Sequence, residues 1–206
     1  MKKNQDRIKI VKDICFAAKS YKENLVGKTF LYVFDGRYIE VLYKASNFRH
    51  LTGVDTNLSA KQFYEYALKN QLQANQINFN SIHPYSLCKR KIRHIKDISN
   101  LAMAESFMLE EINTKTTTYK FGTTDMNFTL CLNKEKDKDG NEKGTCYIVQ
   151  SLRDEDCFPK ATNVYEVTHI LTKSNDQKFY SKVLYIDKQS SLDDLPIVLQ
   201  NILKIE

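Results

Sequence analysis

The sequence predicts an α+β protein, with helices packed on a mainly antiparallel β-sheet. Apolar residues recur at helical spacing mostly in the first half, and runs rich in Val, Ile, Thr, Tyr and Phe crowd the second. Neither an internal repeat nor a Gly/Ser- or Pro-rich linker divides the 206 residues. A single domain over 1–206 is expected.

Each element has a local reason. In residues 5–24, Ile8, Val11, Cys15 and Ala18 recur at spacings of three and four, with Ile14 beside them, which predicts an amphipathic helix ended by Gly27. Lys28–Phe34 and Arg37–Lys44 are apolar runs joined by Asp35-Gly36, a hairpin signal because a type I′ turn needs positive φ at both central residues. After the segment 45–58, Ser59 opens a helix, and Gln62 three residues on completes a capping-box pattern. His83-Pro84 interrupts the chain, and a longer helix is expected from about Tyr85 to Ile112. Strands are expected at 116–122, 126–132, 145–152, 164–172 and 179–187, with the charged stretch 133–144 as a long hairpin tip. A last helix at 192–204, with Pro196 in its first turn, is expected to cover a sheet edge. The helices 5–24 and 192–204 read as appendages to the core.

Charge and cysteine content narrow the function. Residues 1–103 carry 18 Lys/Arg against 8 Asp/Glu, and residues 104–206 carry 13 against 17, which together give the net +6. A basic half suits a polyanion such as RNA, through counterion release and steering. No segment approaches the roughly 20 apolar residues of a membrane span, and the charged start is unlike a secretory signal, so a cytoplasmic protein without a membrane partner is expected. Five widely spaced cysteines without a C-x-x-C pair, and four histidines without i,i+4 pairing, predict neither a disulfide framework nor a metal site. No nucleotide-cofactor or hydrolase motif is present, and no cofactor is expected. Asp137, Asp139 and Asn141 lack the glycine of a calcium loop, where Glu142 stands.

Four places could carry chemistry. Asn47–Val54 gathers Arg49, His50, Thr52 and Gly53: His50 titrates near neutrality, and Gly53 lets backbone approach a ligand. The capped helix after Ser59 could aim its amides, with Lys61, at a phosphate. Lys89, Arg90, Lys91, Arg93 and Lys96 form a basic helical run that would grip a phosphate backbone without sequence preference; a solvated face is the alternative. Thr123 and Thr124 beside Gly122 suit either a phosphate or a turn. Ser151 and Arg153 share a strand face by period two, with Arg153 a candidate to stabilise charge on a phosphate. His169, on a later strand, is a candidate proton donor or a satisfied structural residue.

Leu31-Tyr32-Val33-Phe34, Ile39-Glu40-Val41, Ser46–Val54 and Ser59–Tyr64 resemble the phage-borne PBECR4 family. Phe121–Asp125, Phe128-Thr129-Leu130 and Ser151-Leu152-Arg153 extend the resemblance, over about residues 25–175. It implies the helix-and-sheet nuclease fold proposed for barnase, EndoU, colicin E5/D and RelE, and endoribonuclease activity; because no acidic cluster suggests a two-metal nuclease, a metal-independent route is expected. Carried onto this chain, His50, Thr52, Ser151 and Arg153 are the matching candidates, without a second histidine beside His50 to complete an acid/base pair. The implied partners are RNA and an immunity or host protein. The rival readings are a non-catalytic phage-encoded binding or inhibitor protein on the same fold, and a toxin-like domain acting on a nucleotide or a protein.

Overall fold

A computed structural model describes residues 2–205. One nine-stranded sheet runs in the order β7-β3-β4-β5-β6-β2-β1-β8-β9. Its strands are β1 (Lys28–Phe34), β2 (Arg37–Leu42), β3 (Phe107–Asn113), β4 (Thr118–Thr124), β5 (Thr129–Lys136), β6 (Glu142–Arg153), β7 (Asn163–Glu166), β8 (His169–Ser174) and β9 (Lys182–Ile186). Every pairing is antiparallel except β2 with β6. The helices are α1 (Lys2–Asn24), α2 (Phe48–Thr52), α3 (Ala60–Leu68), α4 (Tyr85–Leu101) and α5 (Ile197–Gln200).

The main core lies between the sheet and α1, α3 and α4. Ile10, Ile14 and Tyr21 of α1, Phe63 of α3 and Ile92 and Ile95 of α4 meet Phe30, Val41, Leu130 and Val149 of the sheet. Alternation sends Leu31, Val33 and Leu171 to the opposite face, where Leu195 and Leu199 cover them. With both faces of β1 covered, its buried run is continuous from Thr29 to Phe34. The Asp35-Gly36 turn has φ of 50° and 65°, both positive, as its type requires. Ser59 caps α3 with the reciprocal Gln62 bonds of a capping box.

Four elements differ from expectation, and the first is the charged stretch 133–144: β5 runs to Lys136 and β6 starts at Glu142, so the hairpin tip is only 137–141. The long helix stops at Leu101, and 107–113 is a strand whose residues are buried toward two cores, Met108 on one side and Leu109 on the other. Glu111, in the left-handed region with φ of 55°, further breaks the period of two, so that Leu109 and Ile112, three residues apart, join one core and the segment imitates a helical continuation. The run 164–172 is two strands, β7 and β8, on opposite sides of the sheet order. The C-terminal helix shrinks to a 3-10 turn and the four residues of α5; the chain then pairs with Tyr180, whose N–H and carbonyl bond Ile202 and Lys204.

Gly122 sits mid-strand in β4, not in a turn. A methyl group there would collide with Ile112 Cδ1 and lie 3.2 Å from the Leu130 carbonyl oxygen. Because backbone cannot yield as a side chain can, Gly122→Ala is expected to lose about 1–3 kcal/mol in urea denaturation. Wild-type stability in that variant would contradict this packing.

Candidate active site

The site begins where β2 ends. β2 runs parallel to β6 only through Val41↔Tyr147 and Leu42↔Ile148, while β6 continues to Arg153. The exposed edge of β6 is met by a side chain: Asn47 Nδ2 donates to the Val149 carbonyl at 2.8 Å. α2 follows, with Phe48 and Leu51 buried in the core and His50 turned to solvent. Gly53 closes the helix in the left-handed region, φ 72°, with its N–H on the His50 carbonyl.

A second segment is fastened to this turn. Asp55 and Asn78 exchange backbone bonds of 3.0 and 2.7 Å, and the Thr56 hydroxyl donates to the Gln76 carbonyl at 2.6 Å. Asn80 Oδ1 then accepts the His83 N–H at 2.7 Å, and Pro84 starts α4. The result is a cavity of about 210 Å³ walled by His50, Gly53, Asp55, Thr56, Asn80 and His83, with Arg49 beside them. The sequence alone gave no reason to join His83 to His50.

α4 packs against the Gly53 wall of the cavity. A methyl group on Gly53 would lie 3.1 Å from Lys91 Cδ, 3.6 Å from its Nζ and 3.5 Å from His83 Cδ2. Lys91 is only 8% exposed, and among the described residues it forms no ion pair with an acid. Asp154, whose charge reaches it, is already held by Arg90 and by His94 Nε2 at 2.7 Å. Arg153 likewise has no acidic partner among those ion pairs, and its Nε is buried without a hydrogen bond.

The electrostatics follow from this crowding of cations. Desolvation, then the Arg153 charge, lowers the Lys91 pKa from its usual 10.5. Desolvation, then Lys91 and Arg153, lowers that of His83 from 6.5, with Asp55 opposing. His50 is lowered by desolvation and by Arg49. Two neutral-leaning imidazoles thus line one cavity, with the Lys91 side chain packed against its Gly53 wall and the Arg153 charge acting on His83 and Lys91, an arrangement suited to an anion and to proton transfer beside it.

The remaining sequence candidates fall elsewhere. Thr52 is fully buried, its hydroxyl donating to the Arg49 carbonyl at 2.7 Å and accepting from the Val54 N–H, so it shapes the turn from beneath. Ser151 is half-buried on β6, two residues before Arg153. His169 lies on β8, buried, with Nε2 donating to the Ser191 carbonyl at 2.8 Å and Nδ1 3.0 Å from the Thr168 hydroxyl. That is the structural reading of this histidine, three strands away from β6 in the sheet. Thr123 is buried, and Thr124 donates to the Phe128 carbonyl at 2.6 Å within a turn, so neither faces a phosphate. Lys61 is exposed beside Glu65 and borders a different groove. On α4, Arg90 pairs with Asp154 and Lys96 with Asp13, while Lys89 and Arg93 stay exposed.

These features define a basic, two-histidine cleft on an α+β scaffold. The sequence model of one family, PBECR4 (phage-Barnase-EndoU-ColicinE5/D-RelE like nuclease4), matches residues 13–189, and the chain belongs to that family. No curated protein and no solved structure matches it. Among the described residues no helix is long and apolar enough to cross a membrane, and no three His, Cys, Asp or Glu side chains come together as a metal site would need.

An anion in the cavity favours the protonated imidazoles. In an NMR pH titration, His50 and His83 are expected to show midpoints below 6.5, and inorganic phosphate is expected to raise both. Phosphate affinity should therefore strengthen as pH falls from the raised midpoints to the free ones. Midpoints above 6.5, or midpoints indifferent to phosphate, would contradict this electrostatic account.

Proposed function

We propose that this protein is a metal-independent endoribonuclease of a phage or mobile element, acting on RNA in the cytoplasm. The observation that carries the reading is the pair His50 and His83 on one cavity, with Lys91 against its Gly53 wall and the Arg153 charge acting on His83, both cations without an acidic partner among the described residues. Membership of a nuclease-like family supports it, and we read the helices on a mainly antiparallel sheet as a form of the fold that the family name invokes.

RNA supplies its own nucleophile, so the protein needs a base, an acid and cations. One neutral imidazole takes the proton of a ribose 2′-hydroxyl as its oxygen attacks the adjacent phosphorus. The bond from phosphorus to the 5′-oxygen breaks, and the other imidazole, protonated, gives that oxygen its proton. The products are a 2′,3′-cyclic phosphate and a 5′-hydroxyl. Lys91 and Arg153 hold the phosphate and meet the charge that grows on its oxygens. Lys89 and Arg93 add affinity for the flanking backbone.

With RNA in EDTA, the wild-type protein is expected to cleave. His50→Ala and His83→Ala should each slow the reaction by about 10²–10⁴-fold, and Lys91→Met by roughly 10²–10³-fold. Cleavage at the wild-type rate in the double histidine variant would refute the assignment. Salt-sensitive RNA binding without cleavage, unaffected by either histidine, would favour a binding module instead.

A further inference from the structure

The catalytic cavity has a neighbour. Asn80 lines both the His50/His83 cavity and an adjoining one of about 340 Å³, walled by Asp6, Arg7, Phe79, Pro84 and Tyr85. His83 and Pro84 are consecutive, so one wall of the first cavity continues directly into the second.

The lining of this second cavity is aromatic at its centre and polar at its edge. The Phe79 and Tyr85 rings lie 5.4 Å apart at 73°, and both are only half-buried, leaving apolar surface toward the cavity. Arg7 is fixed by a 2.7 Å bond from Nη2 to Asn78 Oδ1, yet its Nε is buried and has no hydrogen-bond partner. Asn80 uses Oδ1 to hold the His83 N–H and keeps its Nδ2 donors. Asp6 supplies an acceptor, and its charge helps raise the Tyr85 pKa after desolvation. A flat heteroaromatic ring with donors and acceptors on its rim fits this combination: the faces stack, and the edge meets Arg7, Asn80 and Asp6.

We propose that the Phe79/Tyr85 cavity receives one unpaired nucleobase next to the phosphate bound by His50, His83 and Lys91, and so selects single-stranded RNA. The proposal rests on the ribonuclease reading of the adjoining cavity and names its substrate class. A base in a duplex is stacked and paired on its edge, and cannot enter without being extruded. The two cavities share Asn80, and on this proposal a base lies in one and the phosphate of its own nucleotide in the other. Asn80 is then a positioning residue: it sets His83 through the backbone and offers its amide to the base.

The test uses the full chain and a five-nucleotide 2′-O-methyl RNA, which binds but is not cleaved, with each base removed in turn. Fluorescence anisotropy is expected to show that loss of one particular base weakens binding roughly 10- to 100-fold, as loss of a stacked base does. The same RNA annealed to its complement should bind more weakly than the single strand. In Phe79→Leu/Tyr85→Leu, intact and base-lacking RNAs should bind alike, and in Arg7→Ala the difference should shrink. Arg7→Ala also serves as the second variant if the aromatic one does not fold. Phosphate-induced shifts of His50 and His83 that persist in these variants show the first cavity intact. Equal binding of intact and base-lacking RNAs to the wild-type protein, or an equal loss in every variant, overturns the base site; the phosphate shifts then still report on the ribonuclease reading separately.

Discussion

The candidate site depends on the seating of α4 against the left-handed turn at Gly53. That contact buries the Lys91 ammonium where β6 ends, under a residue that has no side chain to displace it. Burying an ammonium without an acid costs free energy, expressed here as a lowered Lys91 pKa. Two other cations of the same helix are paired, Arg90 with Asp154 and Lys96 with Asp13, while Lys89 and Arg93 face solvent. The protein therefore has acids within reach of α4 and does not spend one on Lys91. An anionic ligand would supply the missing charge and raise the pKa values of the histidines that touch it.

The scaffold explains how residues so distant in sequence share that site. β2 gives up its place beside β6 after Leu42, and Asn47 fills the hydrogen-bond position that the strand leaves. That departure lets α2 lie along β6 and present His50. The Asp55–Asn78 bridge then brings the segment holding Asn80 and His83 alongside, before Pro84 turns the chain into α4. Asp154, next to Arg153, binds Arg90 and His94, and His94 stacks on Phe128 with ring centroids 4.7 Å apart. The same cluster thus fixes α4 and the end of β6 relative to each other.

Much of the fold was legible because its signals are local. The Asp35-Gly36 turn, the Ser59 capping box and the periodicity of α1 each act over a few residues. The strand at 107–113 was not, since burial on both sides and the left-handed backbone of Glu111 erase alternation. The site was legible only in part. His50 and Arg153 stand out by residue type, but His83 reads as a mere break before a proline until a long-range bridge places it. Lys91 was one of five basic residues expected to grip a phosphate backbone, but nothing local marks it as the buried one. The opposite error concerns Thr52, Thr123 and His169, which look reactive as residue types and are absorbed by the core and by backbone carbonyls.

The cut proposed at the His50/His83 cavity runs through the ribose 2′-hydroxyl. The most direct measurement is the end chemistry of the cleaved strand, compared for one sequence made as RNA and as DNA. Only the RNA is expected to be cut, leaving 2′,3′-cyclic phosphate and 5′-hydroxyl ends. Cleavage of the DNA strand, or RNA products ending in a 3′-hydroxyl and a 5′-phosphate, would contradict it.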